Sequence, residues 1–312
     1  MPNNTTDLAG FSNTQDLTLT NILLENFTMM YDWGFVNKGG FSNVAIPGSG
    51  MYGGDKSKLA SVVDPNFTNG QIWQGNRGNW VWETGLALGT PVAVSGVFVN
   101  GSLVTSGYNI DYKHGRVVFG TPLAVSANVK ISYSNKYLNV VPAIGIPWIR
   151  NIQQFSNRVD NEQFNFRGSG EWAILGQSRV QLPALAIDVM PPKNTSPYQL
   201  GGGQWIHNDI IFYIVASNDW QVRNVMDQIV AQDDRSITLF DPNEAIRSGV
   251  YPFDGRNYLR ASALPSGMYP ALVRNFEYKD CFIHKTGNPQ FSQLNPDLFF
   301  GVIKCSTEVR DI

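Results

Sequence analysis

The sequence predicts an α+β, β-rich protein, in which a small β-sandwich or barrel domain is followed by an antiparallel sheet flanked by a helix. Three observations predict it. Between residues 91 and 140, short runs of alternating apolar residues recur with turn signals at roughly ten-residue spacing, as in a small β domain. Further on, residues 219–232 carry Val222, Val225, Met226, Ile229 and Val230 at helical period, between segments that read as strands. At 312 residues the chain is long enough for two hydrophobic cores.

Three regions separate by composition: 1–90, 91–140 and 141–312. In the first, residues 16–33 predict a helix. Leu19, Ile22, Leu23, Phe27 and Met30 form its apolar face, Asp16 is its N-cap and Gly34 closes it. This helix can complete the C-terminal domain. A Gly- and Asn-rich stretch, 39–89, contains Trp73, Trp80 and Trp82. It is either a long ordered loop or a set of short irregular strands, since free linkers rarely carry tryptophans. In the second region Val92, Val94, Val97 and Val99 alternate up to the turn pair Asn100-Gly101. Segments 108–112, 116–119 and 125–133 continue the pattern, with His114-Gly115 in a turn. In the third, strands are predicted at 182–189, 210–216, 236–240, 275–285 and 298–307. Asn218 or Asp219 caps the helix between them, one helix over a mostly antiparallel sheet.

The order Val97-Phe-Val-Asn-Gly101, Tyr108-Asn-Ile-Asp-Tyr112, Gly115-Arg-Val-Val-Phe119 and Val129-Lys-Ile-Ser-Tyr133 resembles a small β domain found in phage virion proteins. Similar phrases occur in bacterial adhesive and carbohydrate-binding modules, so the resemblance implies a building block and not a reaction. The stretch IIFYIVASND followed by VRNVMDQIV and the paired C-terminal strands is similar to the tail-terminator and neck proteins of long-tailed phages. That likeness implies a structural subunit of the virion, assembled with copies of itself into a ring of six or twelve, beside other neck and tail proteins. The insertion before this domain leaves open the terminator itself, a second neck ring or another tail component. The alternative reading is a receptor- or carbohydrate-binding module of a tail fibre, baseplate or bacterial surface protein.

Composition narrows the partners. Charged residues are only 15% and aromatics 12%, a balance that suits protein–protein contact, because a surface poor in charge loses less on desolvation. The net charge of −2, without a Lys/Arg run, argues against nucleic acid as the primary ligand. No apolar run approaches the roughly 18 residues needed to span a bilayer, and 1–10 lack the features of a secretory signal. Cys281 and Cys305 read as buried free thiols, with a disulfide as the alternative.

Catalytic signatures are not found. Gly201-Gly-Gly203 lacks the Lys-Ser/Thr pair of a phosphate loop and reads as a flexible turn. Gly48-Ser-Gly50 and Gly168-Ser-Gly170 lack a nucleophile-elbow context. His114, His207 and His284 are not clustered, Asp233-Asp234 reads as a solvated helix exit, and Asp241-Pro-Asn243-Glu244 as a turn with an N-cap. No catalytic, cofactor-binding or metal-ligating residue is assigned. The tryptophans are the candidate site: Trp73, Trp80, Trp82, Trp205 and Trp220 as contacts to a neighbouring subunit, the first three alternatively a sugar-stacking platform.

Overall fold

The computed structural model describes residues 13–46, 55–75, 77–143, 181–191, 194–199, 202–260, 263–285, 287, 289–295 and 298–311. In chain order, helix α1 (Leu19–Asn37) leads into β1 (Phe41–Val44), β2 (Ala60–Val62) and β3 (Ile72–Gln74). Then come β4 (Val97–Val99), β5 (Ser102–Val104), β6 (Tyr108–Asp111), β7 (Arg116–Phe119), β8 (Val129–Ile131) and β9 (Tyr133–Lys136). The second half holds β10 (Asn139–Pro142), β11 (Ala184–Val189), β12 (Asn194–Gln199), β13 (Gly202–Ala216), helix α2 (Asp219–Val230) and β14 (Arg235–Phe240). Short helices α3 (Pro242–Arg247) and α4 (Tyr269–Asn275) precede β15 (Glu277–Lys285), β16 (Gln290–Asn295) and β17 (Leu298–Asp311). The protein is α+β and β-rich, as the patterning predicts.

The small β domain holds two sheets, β2-β3-β7-β6 and β5-β4-β8, packed over Leu59, Trp73, Val97, Val117, Val129 and Ile131, with the antiparallel pair β1-β9 beside them. Asn100 and Gly101 lie at φ +50° and +87°, the left-handed pair that a two-residue hairpin between β4 and β5 requires. The Gly/Asn-rich stretch supplies β1, β2 and β3, so of its two readings short strands prevail there. The alternating run before Asn100 is a strand only over Val97–Val99; residues 91–96 join no sheet.

The larger domain is built on β13 and β17, antiparallel from Gln204 opposite Asp311 to Ala216 opposite Phe299. The sheet runs β10-β11-β13-β17-β15-β14, with β12 also on β13 and β16 also on β17; only β10–β11 is parallel. Its inner face, including Leu185, Ile187, Phe212, Ile214, Ile303 and Val309, packs against Leu23, Phe27 and Tyr31 of α1 and Val222, Val225 and Ile229 of α2. Where α2 crosses β17, a Cβ on Gly301 would meet Met226 Sδ and Val222 Cγ1 at 2.8 Å. The missing side chain lets helix and sheet close on each other.

Several sequence expectations need correction. Helix α1 continues past Gly34 because Phe35 and Val36 extend its apolar face, and it ends where Gly39 takes φ +82°. Its N-cap is Thr18; Asp16 instead pairs with Arg247. Gly202 and Gly203, expected in a flexible turn, belong to β13, where pairing with β12 holds them in the ladder against their weak strand propensity. Strand β16 and helix α4 lack a signal strong enough to predict, whereas Asp241 does cap α3, accepting from the Asn243 N–H at 2.8 Å. Cys281 and Cys305 are buried and form no disulfide with each other, on adjacent strands but opposite Val309 and Lys285 rather than each other. Burial pushes the Cys281 thiol up to about 12. Segments 1–10, 48–50 and 168–170 and residue Gly201 lie outside the described residues. Among the described residues no helix is long and apolar enough to cross a membrane.

Asn26 of α1 is fully buried; it accepts from the Phe240 N–H at 2.8 Å and donates to the Phe240 and Ile22 carbonyls at 2.9 Å. Asn26→Leu strands both Phe240 backbone groups without a partner and is expected to lower unfolding free energy by about 3 kcal/mol in urea denaturation. Gly301→Val, measured the same way, is expected to cost about 1–3 kcal/mol through overpacking under α2.

Candidate functional site

Helix α1 carries two charged residues, Glu25 and Asp32. They are seven residues apart, with Thr28 between them, so all three share one helix face. The opposite face, Leu23, Phe27 and Tyr31, enters the sheet core. The polar face lines a cleft of about 310 Å³ between α1, the small β domain and the loop around Tyr251–Asn257. From the β domain, β9 delivers Lys136, and the segment after Trp80 delivers Trp82 and Glu83.

Lys136 Nζ donates to the Asp32 carboxylate and to Glu83 Oε1 at 2.5 Å, and the Lys136 and Glu83 side chains are each 2% exposed. Glu83 Oε2 also accepts from the Trp82 N–H at 3.0 Å. The Trp82 ring lies 6.0 Å from Lys136 Nζ and meets Phe253 edge-on at 5.4 Å. Burial works against the Lys136 charge, but Asp32 and Glu83 together overcome it and hold the ammonium above its usual range. Burial pushes the Glu83 carboxyl up, and Lys136, shared with Asp32, only partly draws it back. Nearby, Glu25 accepts from the Tyr251 hydroxyl; burial raises its carboxyl too. At the rim, His114 Nδ1 lies 2.6 Å from Asp111 Oδ2. Chemically, the arrangement is a closed ion network beside an aromatic cavity with a surplus of carboxylates.

The candidate tryptophans separate. Trp73 is in the sandwich core, its indole N–H donating to the Gly70 carbonyl at 2.9 Å. Trp80 stacks on Tyr133 at 4.4 Å and donates to the Arg77 carbonyl at 2.8 Å. At 2% and 1% exposed, these two rings pack within the chain itself. Trp82, 8% exposed, joins Trp80 at the inner wall of the cleft. Trp205 lies elsewhere, on β13, with its ring 5.7 Å from Phe282, and Trp220, in the first turn of α2, is 60% exposed.

His207 and His284 flank Glu308 at 3.4 and 3.8 Å, the second also 3.4 Å from Asp234 in the turn after α2. Among the described residues no group of three or more His, Cys, Asp or Glu is arranged to hold a metal ion. The cleft residues Glu25, Asp32, Glu83, Lys136 and Tyr251 were missed by sequence reasoning. For two of them a signal exists: Asp32 and Glu83 are lone charges beside apolar or aromatic runs, Met29-Met-Tyr-Asp32-Trp and Trp80-Val-Trp-Glu83. A lone charge in such a run is buried with a partner more readily than alone.

Lys136→Met leaves the buried Glu83 carboxylate and the partly exposed Asp32 carboxylate without their cation, and about 3–5 kcal/mol of stability should be lost at neutral pH. Burial raises the Glu83 carboxyl on folding, so its neutral form favours the folded state below the ordinary carboxyl range, and that contribution is lost as pH rises through the folded value. The deficit relative to the unsubstituted protein should therefore shrink on acidification, as checked by thermal melts across pH.

The chain matches no family model, no curated protein and no solved structure.

Proposed function

We propose that this chain is a non-enzymatic structural subunit of a phage virion, which forms a ring with copies of itself at the neck or the tail end. The observation that carries the reading is the two-faced sheet. Helices α1 and α2 cover one face, while the other presents Trp205, His207, Phe282, His284, Glu308 and Arg310 as a half-exposed band. The register assembles it: Trp205 stands opposite Arg310, and Glu308 opposite His207 on one side and Phe282 on the other. Aromatic and arginine side chains of this kind are enriched in interface cores.

Strand addition, the other route to assembly, is less well supported. Edge strands β10 and β12 carry Pro142 and Pro197, and β14 has a bulge between Thr238 and Phe240, features that blunt a sheet edge. The face is therefore the better contact, and a face meeting a different patch on the next copy closes a ring by rotation. Trp220 adds a second exposed aromatic contact. Other neck or tail proteins would stack on the ring axis.

Negative-stain microscopy and light-scattering mass of the purified chain should show rings of six or twelve. Trp205→Ser and Trp220→Ser should dissociate them, with the Trp220 variant still folded by circular dichroism because that side chain is largely exposed on the single chain. A monomer at every concentration that binds immobilised glycans would replace this reading with that of a receptor-binding module.

A further inference from the structure

Lys136 is a buried amine pressed against two carboxyl groups. Its Nζ touches the Asp32 carboxylate and lies 2.5 Å from Glu83 Oε1, and its side chain and that of Glu83 are each 2% exposed. A primary amine held against a carboxyl group away from water has two end states, the salt and the amide. The salt keeps charges in surroundings that solvate them poorly, whereas the amide is neutral and releases a water. Condensation needs two further things, a group that moves protons and a fixed approach.

Glu83 meets the first need. Its Oε2 accepts from the Trp82 N–H at 3.0 Å, which holds the side chain in place and leaves Oε1 facing Nζ. Burial raises this carboxyl, so it takes up a proton more readily than an exposed glutamate. The Lys136 ammonium is held above its usual range, so the salt is the resting state. The free amine then arises by proton transfer along the Nζ–Oε1 hydrogen bond, which removes the charges of Lys136 and Glu83 together. The fold meets the second need. Asp32 lies inside α1 and Lys136 in β9, which is paired along its length with β1. Reactants fixed in this way behave as though present at about 10⁵–10⁸ M. Of the two carboxyls, Asp32 is the one with an exit. Its side chain is 23% exposed and lines the cleft of about 310 Å³, which has room for a departing water, whereas Glu83 is enclosed.

We propose that Lys136 Nζ and Asp32 Cγ join in an intramolecular amide, formed once per chain, with Glu83 as the catalytic acid and base. Starting from ammonium and carboxylate, Nζ gives one proton to Glu83 Oε1, and its lone pair attacks Asp32 Cγ to form the C–N bond. Glu83 passes that proton to an Asp32 oxygen and relays a second from Nζ to the same oxygen. The C–O bond breaks and the oxygen leaves as water. One proton stays on the amide nitrogen, Glu83 ends as it began, and no further reactant is needed. The bond ties helix α1 to the β domain covalently, and it forms whether or not the chain assembles into a ring.

The test is intact-mass spectrometry of the full chain, incubated folded at neutral pH and then denatured. The expected mass is lower than that of the sequence by one water. A proteolytic digest should contain a branched peptide that joins the segment bearing Asp32 to the segment bearing Lys136. Asp32→Ala should keep its full mass. Glu83→Gln retains an acceptor for the Trp82 N–H but cannot take up the proton, and should slow formation of the bond by about a hundredfold or more. Circular dichroism confirms that each variant is folded. The proposal is overturned if the unsubstituted folded chain keeps its full mass, if the branched peptide joins Lys136 to Glu83, or if a folded Glu83→Gln variant forms the bond at an unchanged rate.

Discussion

Lys136 is buried between two carboxylates that come from distant parts of the chain, and the relation of the two domains depends on it. Asp32 belongs to the N-terminal helix, Glu83 to the Trp-rich segment, and Lys136 to the last strand of the β domain. Desolvating three charges is costly, and such a network adds little net stability over apolar packing. What it imposes is geometry. An ammonium that must reach both carboxylates allows one placement of α1 against β9, because any other leaves a charge buried alone. The cleft beside it follows from that placement.

Helix α1 consequently serves two cores. Leu23, Phe27 and Tyr31 fill the space under the sheet, with Tyr31 edge-on to Phe212 at 5.3 Å. Asn26 ties the same helix to the end of β14 by satisfying both Phe240 backbone groups. Its remaining face looks into the cleft. A helix enclosed on several sides cannot show one clean apolar stripe, and that is why its charged residues carry more information than its hydrophobic period. Helix α2 is the simpler case: one face on the sheet through Val222, Val225 and Ile229, the other in solvent, with Arg223 held by Asp219 and lying over Phe291 at 4.5 Å.

The sheet shows the same division between enclosed and open surfaces. Period-two alternation along β13 sends Ile210, Phe212 and Ile214 to the helices and Trp205, His207 and Tyr213 to the other side. The histidines and Glu308 lie on that side because their strands pair in this register. A slip of one residue would bury them and expose the isoleucines. The half-exposed band is thus a consequence of core packing.

Local pattern determined much of this fold. The hairpin at Asn100-Gly101, the strands ending at Phe119, Val189 and Phe240, and helix α2 are all legible because each rests on a short-range period or on a turn that only certain residues adopt. Where the elements depend on partners far along the chain, legibility fails. Short β3 exists through pairing with β7 and β2 through pairing with β3, and Gly202 and Gly203 extend β13 because β12 lies beside them. The tryptophans were legible as important but not as interior, since an aromatic ring suits a core and an interface equally. The cleft was least legible of all. The sequence determined only that Asp32 and Glu83 are lone charges beside aromatic residues. Only the tertiary structure decided that Asp32, Glu83 and Lys136 meet, because charge compensation is a property of distances in space, and nothing in the local chain encodes a distance between residues 32, 83 and 136.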